Sequence, residues 1–103
     1  VVKHIVIWRL KDQAHGNDKR QNAVLIKQRL EALRGRIPGL LSLEVGFDIG
    51  NTSNSGDLVL YSEFESMAAL AGYQEHPLHQ AVVEFIQEAR SERRVVDYEP
   101  ARD

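Results

Sequence analysis

The sequence predicts an α+β fold in which one four-stranded antiparallel sheet carries helices on a single face. Two observations carry this. Four short segments rich in branched and aromatic residues read as strands, most plainly by alternation at period two, and the segments between them repeat apolar residues three and four apart, as a helix does. The order along the chain is strand, helix, strand, strand, helix, strand.

From Val2 to Leu10, the residues Val2, His4, Val6, Trp8 and Leu10 face one way, and Lys3, Ile5, Ile7 and Arg9 the other. Gly16-Asn17-Asp18 then offers a helix cap. Ala23, Ile26, Leu30, Leu33 and Ile37 form one apolar stripe, which predicts a helix from about Asn17 to Arg34, with Gly35 at the left-handed position that ends it. Ile37-Pro38-Gly39 turns the chain into a second strand, Leu40 to Ile49, with Leu41, Leu43, Val45 and Phe47 on one face. Gly50 to Asp57 is polar and reads as a hairpin loop. The third strand, Leu58 to Phe64, sets Leu58, Leu60, Ser62 and Phe64 against Val59, Tyr61 and Glu63. Ser66 caps a short helix through Tyr73, and Pro77 restarts it as a first helical residue, pushing His76 out to the cap. The second piece runs to about Arg90, and Arg94 to Glu99 forms the last strand.

This order is a ferredoxin-like βαββαβ arrangement, expected to occupy residues 1–103 as one domain. Helices can cover only one face of its sheet. The other face carries Ile5, Ile7, Val59, Tyr61 and Val96, where a solvated antiparallel sheet shows polar residues. A second copy of the sheet is the simplest cover, so a homodimer packed through the open sheet faces is expected.

The chain has a formal net charge of -2 and no cysteine. The balance argues against a nucleic-acid partner, which requires a basic face. Lack of cysteine excludes disulfides, thiolate catalysis and zinc–cysteine sites. No apolar run reaches the length of a membrane span, and Val1 to Ile7 lacks the parts of a signal peptide, so a cytoplasmic protein is expected. Arg90, Arg93 and Arg94 cluster near the C-terminus and read as a solvated strand entry, with anion binding as the alternative.

Among chemistry-bearing residues, His79 stands out. His79, Val82, Val83 and Ile86 share one apolar stripe, and His79 is its first member, near a helix start where both dipole and burial favour neutral imidazole. Neutral imidazole accepts a proton; the structural alternative is a core histidine bonded to a backbone carbonyl. His4 shares the Val6/Trp8 face and is placed to border the same cavity. Tyr73 offers a hydroxyl to a carbonyl oxygen, or simply packs. Val6, Trp8, Leu58 and Leu60 are the expected apolar lining of a ligand pocket. His76 and His79 give only two ligands across a proline, so no metal site is assigned. His15 sits in a polar loop and is expected in solvent.

Val2-Lys3-His4-Ile5-Val6, Ile37-Pro38-Gly39-Leu40, Phe64-Glu65-Ser66, Tyr73 to His79 and Val95-Val96-Asp97-Tyr98 together resemble the stress-responsive A/B barrel domain family of dimeric α-β barrels. The match runs through nearly the whole chain, in order. It implies a ferredoxin-like fold and a dimer closing two sheets into a barrel. Most members have no known reaction. One plant member, olivetolic acid cyclase, closes a polyketide by aldol chemistry, and by resemblance its essential histidine falls on His79, its first-strand histidine on His4 and its tyrosine on Tyr73. Its third-strand histidine corresponds to Leu58, which leaves a less polar pocket here. The magnesium that some plant members hold through backbone carbonyls would fall at Arg34, Ile37 and Leu40, but backbone ligands leave no side-chain signature and no cofactor is assigned.

The expected function is therefore a small homodimeric protein that binds an apolar or carbonyl-containing small molecule between sheet and helices. The alternative is a cofactor-free enzyme, cyclase-like or monooxygenase-like, with His79 as general base and Tyr73 or His4 holding the oxyanion.

Overall fold

The computed structural model describes residues 1–101. Alternation makes Val2–Leu10 a strand, β1, with Val2, His4, Val6, Trp8 and Leu10 all buried. A two-residue hairpin that the periodicity does not announce follows, β2 (Gln13–Ala14) with β3 (Asn17–Asp18). His15 and Gly16 turn it, both with positive φ. The hairpin is held to the next helix by Asn22, which is wholly buried, donates to the Ala14 carbonyl at 3.0 Å and accepts from the Asn17 amide at 3.2 Å.

Helix α1 spans Lys19–Glu31, shorter at both ends than the sequence predicts. Asn17 and Asp18 are taken by the hairpin, although Asp18 still caps α1: its carboxylate accepts from Gln21 N, and Gln21 reaches back to Asp18 N. After Ala32 the chain leaves the helix by tight turns, with Gly35 at φ +74. Strand β4 (Leu40–Phe47) stops two residues before the expected Ile49. Leu43 and Val45 are buried, but Leu41 is 52% exposed and Phe47 45% exposed, a correction to the expected face. A register irregularity between Leu40 and Ser42 throws Leu41 out, and Phe47 ends the strand with Lys27 5.8 Å above its ring.

Strand β5 (Leu58–Phe64) buries Leu58, Leu60, Ser62 and Phe64, as the alternation requires. Ser66 caps α2 (Met67–Glu75), and His76 separates it from α3 (Pro77–Ala89). His76 caps α3 through its ring: Nδ1 accepts from Leu78 N at 3.1 Å. Strand β6 spans Arg90–Tyr98, four residues longer at its start than expected. The sheet order is β4-β5-β1-β6, antiparallel throughout, the ferredoxin-like arrangement. Phe64, Ile26, Leu30, Leu70 and Tyr73 fill the layer between sheet and helices, each at most 1% exposed.

The outer edge of β4 is covered by side chains of α1 and the turn after it. Glu31 accepts from Val45 N at 3.1 Å, Lys27 donates to the Val45 carbonyl at 2.6 Å, and Arg34 Nε donates to the Leu43 carbonyl at 2.6 Å. Burial pushes the Glu31 carboxyl up, but the Lys27 and Val45 hydrogen bonds and the Lys27 and Arg34 charges outweigh it and hold the group below its ordinary value.

Gly39 joins the first helical layer to the second. Its φ is +80, and an added Cβ would stand 2.5 Å from the Ala69 Cβ of α2. Gly39→Ala is expected to cost about 2–4 kcal/mol in urea unfolding, because left-handed strain and overpacking add. Gly35→Ala has the same backbone sign and open space around it, so it is expected to lose only about 1 kcal/mol. Equal losses would remove the packing term.

Candidate functional site

A cavity of about 230 Å³ opens between β1, β6 and α3, and its walls include Val6, Trp8, Leu30, Leu60, His79 and Ile86. The even-numbered face of β1 supplies the floor, because period-two alternation points His4, Val6 and Trp8 toward the helices. The restart at Pro77 supplies the roof, because it sets His79, Val83 and Ile86 on one side of α3.

His4 and His79, far apart in sequence, both line this cavity. His4 is 3% exposed, and its Nδ1 lies 2.5 Å from Asp97 Oδ1, the residue directly across the β1–β6 ladder. Its ring stands edge-on to Tyr73 at 6.2 Å. Tyr73 in turn lies against His79, with ring centroids 3.9 Å apart. The three expected residues thus form one contiguous stack, with Tyr73 in the middle. Their access differs. His79 is half-buried, whereas Tyr73 is fully buried and does not border the cavity.

Of the expected apolar lining, Val6, Trp8 and Leu60 border the cavity and Leu58 does not. Leu58 pairs with Trp8 at the far end of the ladder and is 2% exposed, beneath the β4–β5 hairpin. The third-strand side chain that reaches the cavity is Leu60, opposite Val6. His76 is committed to capping, so the two histidines of His76-Pro77-Leu78-His79 serve different tasks. His15, expected in solvent, stacks on Phe85 at 4.0 Å with Nε2 2.9 Å from the Phe85 carbonyl. The left-handed turn at His15 is what brings the ring over α3.

Four further polar residues line the cavity. Gln74 and Gln87 carry no signal in the sequence, and Arg90 and Arg93, which read as a solvated strand entry with anion binding as the alternative, are placed in the cavity wall. Asp97 stands behind His4. Pairing across β1 and β6 is what places Arg93 and Asp97, and no signal within either strand alone gives that register.

Three buried polar atoms have no hydrogen-bond partner among the described residues: Trp8 Nε1, Tyr73 Oη and His79 Nδ1. Two of the three belong to cavity-lining residues, and the third lies in the stack behind them. Burial chiefly lowers the His79 pKa; the Gln74 backbone opposes this, and the charges of His4, Arg93 and His76 reinforce it. Burial also pushes the Tyr73 hydroxyl well above its ordinary range, with the Arg93 guanidinium pulling the other way. At neutral pH His79 is therefore a neutral imidazole and Tyr73 a neutral phenol.

Linkage gives this a measurable sign. The unfolded chain protonates His79 near its ordinary 6.5, before the folded chain does. The stabilisation is fully present above that value and is lost as pH falls toward the folded pKa. His79→Gln is expected to flatten part of the decline in Tm on going from pH about 7.5 to about 5. A parallel profile would mean that other groups carry it.

No group of three or more His, Cys, Asp or Glu side chains placed to hold a metal lies among the described residues. In the turn before β4, the Ile37 carbonyl accepts the Leu40 N–H at 3.3 Å. No described helix is long and apolar enough to cross a membrane.

Residues 2–100 match the model of the stress responsive A/B barrel domain. The chain belongs to that family. An uncharacterised protein of Streptomyces coelicolor is 30% identical over 83 residues, covering 81% of this chain and 84% of that one. Among solved structures, a dimeric protein of unknown function with a ferredoxin-like fold from Bacteroides fragilis is 34% identical, with a TM-score of 0.83 and coverage of 95% of this chain and 94% of that chain. A hydroxynitrile lyase from Passiflora edulis superposes with a TM-score of 0.79 over 94% of this chain and 90% of its own. At 21% identity it shares the fold alone. The A/B barrel resemblance carried by Val2 to Val6, Tyr73 to His79 and Val95 to Tyr98 thus holds over the length that those motifs span.

Proposed function

We propose that this A/B barrel protein is a homodimer that binds a small, largely apolar molecule bearing a carbonyl or similar polar group in the cavity between sheet and α3. One observation supports the proposal most: a partly apolar cavity adjoins buried polar atoms, Trp8 Nε1, His79 Nδ1 and Tyr73 Oη, that have no partner among the described residues. An unpaired buried polar group costs about 1–3 kcal/mol, so a ligand that reaches one recovers part of that cost on binding. Val6, Leu30, Leu60 and Ile86 take up the apolar body, and His79 addresses its polar end.

The dimer rests on the open sheet face. Ile5, Val59 and Tyr61 are half-buried there, Ile7 is 43% exposed and Val96 54% exposed in the single chain. Burying a large apolar side chain is worth about 1.5–3 kcal/mol, and several such residues on each copy supply a driving force before the entropic cost of association. The dimeric Bacteroides fragilis relative supports the same assembly.

Trp8 is the chain's one tryptophan and lines the cavity, so its emission reports occupancy directly. Titration with 2-heptanone is expected to shift that emission and raise Tm. Ile86→Phe, which narrows the cavity, and Ile86→Trp, which fills it and is read by Tm alone, are expected to reduce and abolish the response, and His79→Ala to weaken it about tenfold or less, the worth of one hydrogen bond. Stabilisation unchanged by Ile86→Trp would place the ligand elsewhere and sink the proposal.

A second reading, a cofactor-free enzyme in which neutral His79 takes a proton from a carbon acid, is favoured by the lowered pKa of a histidine in the cavity wall. Its signature is exchange of the α-protons of 2-heptanone into heavy water, faster with the parent protein than with His79→Ala.

A further inference from the structure

The cavity has a charged mouth. Strand β6 contributes Arg90 and Arg93 to its lining, and none of the lining side chains is acidic. Strict alternation would place residues three apart on opposite faces of a strand. A bulge prevents this: Trp8 pairs with Arg93 and Arg9 with Glu92, but Leu10 pairs with Arg90, so Ser91 is the extra residue. Trp8 and Leu10 both face the helices, and the two arginines therefore converge on the same side. Arg94, opposite Ile7, falls on the other face.

Neither guanidinium has an ion-pair partner among the described residues, where five other pairs form. Asp97, on the same face of β6 as Arg93, is engaged with His4. The arginines thus bring positive charge without an ion-pair partner to a partly apolar cavity whose other polar groups are Gln74, Gln87, neutral His79 and His4, the last of them joined to Asp97. A guanidinium presents paired donors that match a carboxylate, and at the rim of an apolar cleft such a contact is less screened than in open water.

We propose that the ligand is an organic acid, with its apolar body between Trp8, Leu60 and Ile86 and its carboxylate held by Arg93 with Arg90 beside it. This rests on the pocket proposed above and names the class of molecule it takes. The bulge at Ser91 is the device that builds the acid subsite.

The test compares two probes of equal length, hexanoate and hexanamide, titrated against the full chain and followed by Trp8 emission and amide chemical shifts. Hexanoate is expected to bind about tenfold more tightly, the worth of a charge-assisted hydrogen bond over a neutral one. Arg93→Gln is expected to erase that preference by weakening hexanoate far more than hexanamide, and Arg90→Gln to reduce it. Arg94→Gln is expected to leave it intact. Equal affinity for the two probes, or a preference that survives Arg90→Gln with Arg93→Gln, overturns the acid subsite and leaves the pocket standing. If neither probe perturbs Trp8 or the cavity amides, both proposals fall.

Discussion

Ile7→Asp is expected to sediment as a folded monomer under conditions where the parent protein sediments as a dimer. Ile7 lies on the central strand β1, on the face the helices leave bare, with Val59 on one side and Arg94 on the other. In the single chain it is 43% exposed, so a carboxylate there remains hydrated and gains the Arg94 guanidinium as a neighbour. Packed against a second sheet, the same carboxylate loses its water, a penalty of several kcal/mol that the interface has little to offset. The fold should survive because the helix-side core does not include this residue. Sedimentation equilibrium with circular dichroism separates the outcomes. A variant that stays dimeric, or a parent that is monomeric at micromolar concentration, would remove the open face as the interface.

Tyr73 gives a paired result of opposite sign. Tyr73→Ala removes a side chain with no exposure that touches His4, Phe64 and His79, and is expected to lose about 3–5 kcal/mol. Tyr73→Phe removes only the hydroxyl, which has no hydrogen-bond partner among the described residues. Relief of that unpaired donor is expected to stabilise the free protein by about 1 kcal/mol. The pair separates packing from chemistry. If Tyr73→Phe instead destabilises by more than about 1 kcal/mol, the hydroxyl has a partner inside the fold and is not reserved for a ligand. If it stabilises the free protein yet weakens 2-heptanone binding, the hydroxyl belongs to the site although it lies behind the cavity wall.

Much of this architecture was legible in the residues. Strands β1 and β5 are written in alternation alone, residue for residue, because each packs one face on the helices. Ser66 and Pro77 mark helix starts by local chemistry, and both serve there. What escaped was nonlocal. The β2–β3 hairpin is held by the buried Asn22, whose amide bonds carry no periodic signal. Strand β6 begins four residues early because its polar stretch, Arg90 to Arg93, pairs with β1 through backbone groups that any side chain permits. The convergence of His4 and His79 could be read from faces, but the Asp97 partner and the Arg90–Arg93 pair depend on register and on a bulge, which neither strand encodes by itself.

The cover that Lys27, Glu31 and Arg34 lay along the margin of β4 bears on how many copies can join. A sheet lengthens without limit only if each subunit offers two free margins, one to donate and one to receive. Here the β4 margin has its carbonyls and amide already claimed by side chains of the same chain, so addition of a further strand there is opposed and association falls to the open sheet face. The carboxylate of Glu31 is the hinge of that restraint, since it binds the Val45 amide and both cations together. Protonating it in strong acid would free the Val45 N–H and loosen both cations, while Lys27 and Arg34 keep their own bonds to the β4 carbonyls.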